Sequence, residues 1–161
     1  MSGFRTPEGG RIERAVGVSF RFDGKTYTGV QGDTLASALL ANGVHFTARS
    51  YKYHRPRGVM TAGSEEPNAL FGIDRGDGRY DTNTRATTQE LFEGLAAESQ
   101  HCWPSLRWDL GALNGLGGPV MSAGFYYKTF MWPKSFWGRV YEPIIRKSSG
   151  LGRAPKAVDP D

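Results

Sequence analysis

A hydrophobic run of period two, a tight Asp-Gly turn and an amphipathic helix directly behind them predict an α+β fold of the β-grasp type. Val16, Val18, Phe20 and Phe22 alternate with Gly17, Ser19 and Arg21, which places the large apolar side chains on one face of a half-buried strand. Asp23-Gly24 follows at once; glycine accepts positive φ without steric cost, so the pair reads as a two-residue hairpin turn. Tyr27–Val30 is the returning strand.

Gly32-Asp33-Thr34 then opens a helix, because either Asp33 or Thr34 can cap the free amides of its first turn. Leu35, Leu39 and Leu40 supply its core-facing stripe, and Gly43 is placed to end it. His45–Arg49 begins another strand. A second helix is expected near residues 88–99, where Thr87 and Glu90 stand at capping-box spacing and Leu91, Phe92 and Leu95 give an apolar face. Gly94 costs that helix about 1 kcal/mol relative to alanine. Two strands, a helix and further strand are the order of a β-grasp (ubiquitin- or ferredoxin-like) domain.

The 161 residues suffice for one domain and an extension. Only 39% are hydrophobic while 22 are glycine, which implies a modest core and much loop. Cys102 is the single cysteine, so an internal disulfide is excluded and a reducing, cytoplasmic setting is expected. Met1–Arg14 lacks an apolar signal core, and no run approaches the roughly 20 apolar residues of a membrane span.

The net charge of +4 hides three blocks. Residues 34–64 hold no acid; residues 65–109 hold nine acids against four bases; residues 110–158 hold Glu142 against seven bases. The densest basic run is Arg49-Ser-Tyr-Lys-Tyr-His-Arg-Pro-Arg-Gly58. Arg49, Lys52, His54, Arg55 and Arg57, interleaved with Tyr51 and Tyr53, suit an anion or a nucleotide phosphate, or a protein interface. The alternative is a solvated loop whose tyrosines belong to the core. Glu65 and Glu66 are expected to pair with this basic loop in preference to acting as a catalytic acid/base couple.

His45, His54 and His101 lack metal-ligand spacing with Cys102, which reads as a packing residue beside Trp103. Gly115-Leu-Gly117-Gly118 and Gly150-Leu-Gly152 fall short of a dinucleotide-binding glycine pattern. The last third is aromatic: Phe125, Tyr126, Tyr127, Phe130, Trp132, Phe136, Trp137 and Tyr141 are interrupted by Pro133, Gly138 and Pro143. Such a stretch is too aromatic to stay disordered and too broken to build its own core. It reads as an extended arm whose Phe125, Tyr126, Tyr127, Phe130, Trp132, Trp137 and Tyr141 anchor a partner or a following domain. Packing on the chain's own first domain is the alternative.

Three runs, Arg49–Gly58, Glu65-Glu66-Pro67-Asn68-Ala69-Leu70 and Gly124–Pro133, resemble the N-terminal region of the alpha subunit of heterotetrameric sarcosine oxidase. Tyr141–Arg146 and Gly150–Gly152 extend the resemblance, which begins at about Val16. It implies a [2Fe–2S] ferredoxin-like domain over 15–100, preceded by a flexible N-terminus (1–14) and followed by a docking arm (101–161). That arm would lead to a Rossmann domain beyond Asp161, so NAD and folate sites are not expected here.

The resemblance further implies FAD, FMN and NAD in the full complex, sarcosine as substrate, and the remaining alpha-subunit domains with beta, gamma and delta subunits as partners. The sequence departs from it in one respect. A plant-type cluster needs four cysteines, and the loop after the first helix, Arg49–Gly63, has none. The expectation is therefore a non-catalytic structural module that holds no cofactor by itself and contacts a flavin at a subunit interface. The alternative, a nucleic-acid-binding module, is disfavoured because an acidic block separates the bases; neither nucleic acid nor membrane is an expected partner.

Overall fold

The hairpin turns where the alternation ends. β1 (Glu13–Phe22) pairs antiparallel with β2 (Lys25–Gln31), and Phe22 faces Lys25 across the turn. Asp23 and Gly24 have φ of 47° and 77°, the left-handed pair that matches the twist of the flanking strands. Val18, Phe20 and Phe22 are buried, while Val16 is exposed. The structure, a computed structural model, describes residues 4–76, 78–117 and 130–152.

The first helix, α1 (Leu35–Ala41), is capped by Thr34. Its side chain accepts the Ser37 N–H at 3.2 Å, and the Ser37 hydroxyl accepts the Thr34 N–H at 2.9 Å. Asp33 is turned the other way. Its carboxylate accepts the Val30 N–H at 2.9 Å and takes two bonds from Arg5, at 3.0 and 2.5 Å, tying the segment before β1 to the start of α1. Leu35, Ala38 and Leu39 are fully buried, whereas Leu40 is half-buried.

Five strands make the main sheet in the order β2-β1-β7-β5-β6, with β5 (Leu70–Gly76), β6 (Arg79–Arg85) and β7 (Leu95–Ser99). β1 and β7 run parallel at its centre, with Phe20 opposite Leu95 and Phe22 opposite Ala97. The remaining pairs are antiparallel. Phe20, Phe22, Phe71, Ile73 and Leu95 form the sheet side of the core, and Leu35, Leu39 and Leu91 form its other side. A separate two-stranded ribbon, β3 (Ala48–Arg49) with β4 (Pro56–Arg57), carries the basic loop at its tip.

The helix expected over 88–99 is absent, and β7 stands in its place. The Thr87 hydroxyl, the supposed cap, donates to the Gly63 carbonyl at 2.6 Å. The Leu91 N–H bonds to the Asp33 carbonyl at 2.9 Å, and Gly94, at φ 79°, donates to Ser19. Leu95 and Ala97 then alternate into the core in the gap between β1 and β5. Twelve residues of weak helical pattern, broken by the left-handed Gly94, lose to two ladders of sheet hydrogen bonds.

Beyond β7 the chain forms a 3-10 turn, Leu110–Gly115. A short turn at Lys134–Phe136 and a wide helical turn, Trp137–Tyr141, lead into α2 (Glu142–Ser148). No helix among the described residues is long and apolar enough to cross a membrane.

Candidate functional site

The basic loop is built around an acid that the sequence does not single out, Asp109. Its side chain is 1% exposed. One oxygen accepts the N–H groups of Trp103 and Gly111, at 3.0 and 3.1 Å. The other accepts from His54 Nδ1 at 2.6 Å and lies 3.3 Å from Arg49 Nε. Burial alone would raise the Asp109 pKa, but the Trp103 amide, His54 and the Gly111 amide hold it below the usual carboxylate range.

Arg49 is fixed as firmly. Its Nε donates to the Leu106 carbonyl at 2.8 Å, a second nitrogen bonds to the same carbonyl, and Nη1 donates to the His54 carbonyl at 2.7 Å. Its guanidinium also covers the Phe46 ring at 5.1 Å. Arg49 and His54, expected among the anion contacts, are thus committed to clamping residues 103–111 onto the β3–β4 ribbon. Arg55 and Arg57 face outward, and Arg55 and Lys52 sit over the Tyr53 ring at 5.1 and 4.9 Å. The loop therefore divides into an inward pair, Arg49 and His54, and an exposed pair, Arg55 and Arg57, with half-buried Lys52 beside Tyr53.

His101 stacks on His54 with ring centroids 4.4 Å apart. Burial and the neighbouring His54 charge push its pKa down. Side chains at Gly111 and Gly150 would overlap the His54 and His101 rings respectively, so both backbones owe their approach to the absent Cβ. These rings, with Tyr51, Tyr80, Trp103 and Lys147, line a cleft of about 730 Å³. Cys102, half-buried against the core, shares a hydrogen bond with Ser99 at 3.3 Å, and burial raises its thiol pKa. A thiol held protonated is a poor nucleophile and a poor ligand. Among the described residues no group of three His, Cys, Asp or Glu side chains is arranged to hold a metal ion.

Glu66 corrects a second expectation. It is buried and takes its hydrogen bonds from backbone amides of its own loop, so it does not pair with the basic run; Glu65 is exposed. Of the predicted aromatic anchors, Phe125, Tyr126 and Tyr127 lie outside the described residues. Trp132 is exposed, as is Trp137, while Phe130 packs edge-on against Tyr141 at 5.4 Å and the Tyr141 hydroxyl donates to the Trp132 carbonyl at 2.5 Å. Asp109 itself has one local signal, as the capping acid immediately before Leu110–Gly115.

The hairpin, the capped helix and the mixed sheet all fall within one family match: residues 15–102 match the 2Fe-2S iron-sulfur cluster binding domain. The chain belongs to that family. It is 60% identical over its whole length to sarcosine oxidase subunit alpha of Rhizobium meliloti (strain 1021), of which it spans 16%. It is also 40% identical over 92 residues, 55% of the chain, to sarcosine oxidase subunit alpha of Corynebacterium sp. (strain U-96), covering 9% of that protein. The crystal structure of L-proline dehydrogenase from P. horikoshii aligns with 53% of the chain at 24% identity and a TM-score of 0.43, covering 16% of that chain, a likeness too slight to carry a conclusion.

The residues present do not fit the cluster named in the family's description. Four thiolates are needed, and the chain has one cysteine, kept protonated by burial. In this member the domain is a frame without its iron ligands.

Proposed function

We propose that this chain is a non-catalytic interaction module of a sarcosine-oxidase-type flavoenzyme, holding the β-grasp domain of an alpha subunit against the rest of a multi-subunit complex. One observation carries the reading. Trp103, Trp108, Leu113 and Leu116 are each between 62% and 82% exposed, in a segment that Asp109 and Arg49 hold against the β3–β4 ribbon, and Met131 and Trp132 further along are 61% and 81% exposed. Rigid aromatic side chains in water are what an interface core needs before its partner arrives.

The relatives named as sarcosine oxidase subunit alpha support the assignment, and the matched portion is about one sixth of the Rhizobium protein. Residues 101–161 would act as a docking arm toward the remaining alpha-subunit domains, with Phe125, Tyr126, Tyr127, Phe130, Trp132, Trp137 and Tyr141 as anchors. Beta, gamma and delta-type subunits complete the proposed assembly, which would carry FAD, FMN and NAD and oxidise sarcosine. The exposed Arg55 and Arg57, with Lys52 beside them, would contact a flavin phosphate at a subunit interface.

The test is made in the assembled enzyme. Reversing charge with R55E and R57E together is expected to lower flavin content, read from visible absorbance per complex, while leaving subunit composition intact. Flavin content equal to wild type would remove the flavin contact. In W132A combined with W137A the expected result is loss of co-purifying subunits; an unchanged complex would sink the docking role.

A further inference from the structure

Between β4 and β5 the chain closes a loop, residues 58–69, around a single carboxylate. Glu66 is 1% exposed. One of its oxygens accepts the N–H groups of Met60 and Thr61, both at 2.8 Å, and the Thr61 hydroxyl approaches it at 3.4 Å. The other accepts the N–H groups of Asn68 and Ala69, at 2.8 and 3.1 Å. Asn68 closes the ring by donating its side-chain amide to the Gly58 carbonyl at 3.3 Å.

Backbone amides, not basic side chains, supply these donors. Converging N–H groups carry partial positive charge and form a concave anion site. Burial by itself would raise the Glu66 pKa, yet the amides of Thr61, Asn68, Met60 and Ala69 together bring it below the usual carboxylate range. The loop is therefore matched to an anion, and the anion it meets is a side chain six residues from one end of the cradle and two or three from the other.

We infer that residues 58–69 form an anion-binding loop that the chain fills with its own Glu66 carboxylate, and that a small free carboxylate takes this place once the side chain is removed. The inference is independent of the docking reading. The loop's amides are satisfied from within by the Glu66 carboxylate.

Hydrogen exchange read by mass spectrometry on the peptide covering residues 58–69, in the complete chain, tests this with sodium formate as probe. In wild type the peptide is protected with or without formate. In E66A exchange rises at least about tenfold, as expected when several buried amides lose their acceptor, and formate restores most of the protection. E66Q, whose carboxamide fills the space but offers one acceptor oxygen, shows partial loss and no response to formate. Wild-type protection in E66A overturns the inference. So does loss that formate leaves unchanged while peptides from β1 and β5 keep native exchange. Should E66A lose protection throughout, E66Q decides: loss confined to 58–69 supports the site, and full protection refutes it.

Discussion

Removing the Asp109 carboxylate would strip the acceptor from three donors at once: the Trp103 N–H, the Gly111 N–H and the His54 ring. It would also leave Arg49, itself largely buried, without its neutralising charge. D109A is accordingly expected to cost about 3 kcal/mol, the low end for breaking a buried pair, visible as a fall in the denaturation midpoint at unchanged slope. D109N keeps the shape and one acceptor, so its loss should be smaller. An equal loss for both would mean that packing, and not charge, holds the loop. None of this stands out in the sequence. Arg49 and His54 can be picked out as a basic pair, but the acid they serve lies over fifty residues on, and no local spacing connects them. Glu66 was legible as a residue of interest and misread in its partner, because a carboxylate near bases suggests an ion pair whereas the loop's own amides are closer.

Among the elements, those defined by contact between neighbours were readable and those defined by distant pairing were not. The hairpin needs only the alternation of Val18, Phe20 and Phe22 and the turn at Asp23-Gly24, and α1 needs only Thr34 and its leucines. β7 is different, since its strand character comes from β1 and β5 on either side. This yields a contrast that a helix would not show. L95A removes a fully buried side chain between two strands and should cost about 2–5 kcal/mol by denaturation. F92A, on the exposed turn before it, should cost well under about 1 kcal/mol. Equal losses would speak for a shared helical face. Residues 103–116 follow the same rule. Their 3-10 turn buries none of its own side chains, so periodicity carries no signal there, and Asp109 and Arg49 set its place from a distance.

The whole molecule combines largely buried acids with a half-buried histidine, and all of them act in one direction on acidification. His101 has a lowered pKa, so the unfolded chain takes up a proton that the folded chain resists, and stability begins to fall below about pH 6.5. Glu66, Asp33 and Asp109 also have lowered values; their contribution is complete above the ordinary carboxylate range and is lost as pH drops through it toward their folded values. Thermal midpoints measured from pH 8 downward should therefore decline in two stages, and H101Q should remove the upper one. A single stage in both proteins would contradict the assignment of His101. At this scale the α+β class was readable from the hairpin and the capped helix behind it, while β5, β6 and β7 left no pattern that the sequence alone assigned to a strand. The exposed apolar side chains at 103–116 and 131–151 were readable only as a surplus of aromatics, and their exposure needed the fold.

The parallel pairing of β1 with β7 also sets an order of events during synthesis. Phe20 cannot meet Leu95, nor Phe22 Ala97, until some seventy-five further residues have been made. Up to then the hairpin and α1 have a sheet with its central place vacant, and Phe71 and Ile73 have no β7 to pair with. Contacts so far apart in the chain are slow to form and leave apolar surface uncovered while they wait. The Asp109 clamp can close only after that, ten residues beyond β7, on a ribbon already in place. The nascent domain thus presents Trp103 and Trp108 only once the sheet behind them is complete, so that the proposed docking surface comes into being on a finished sheet and not on a half-built one.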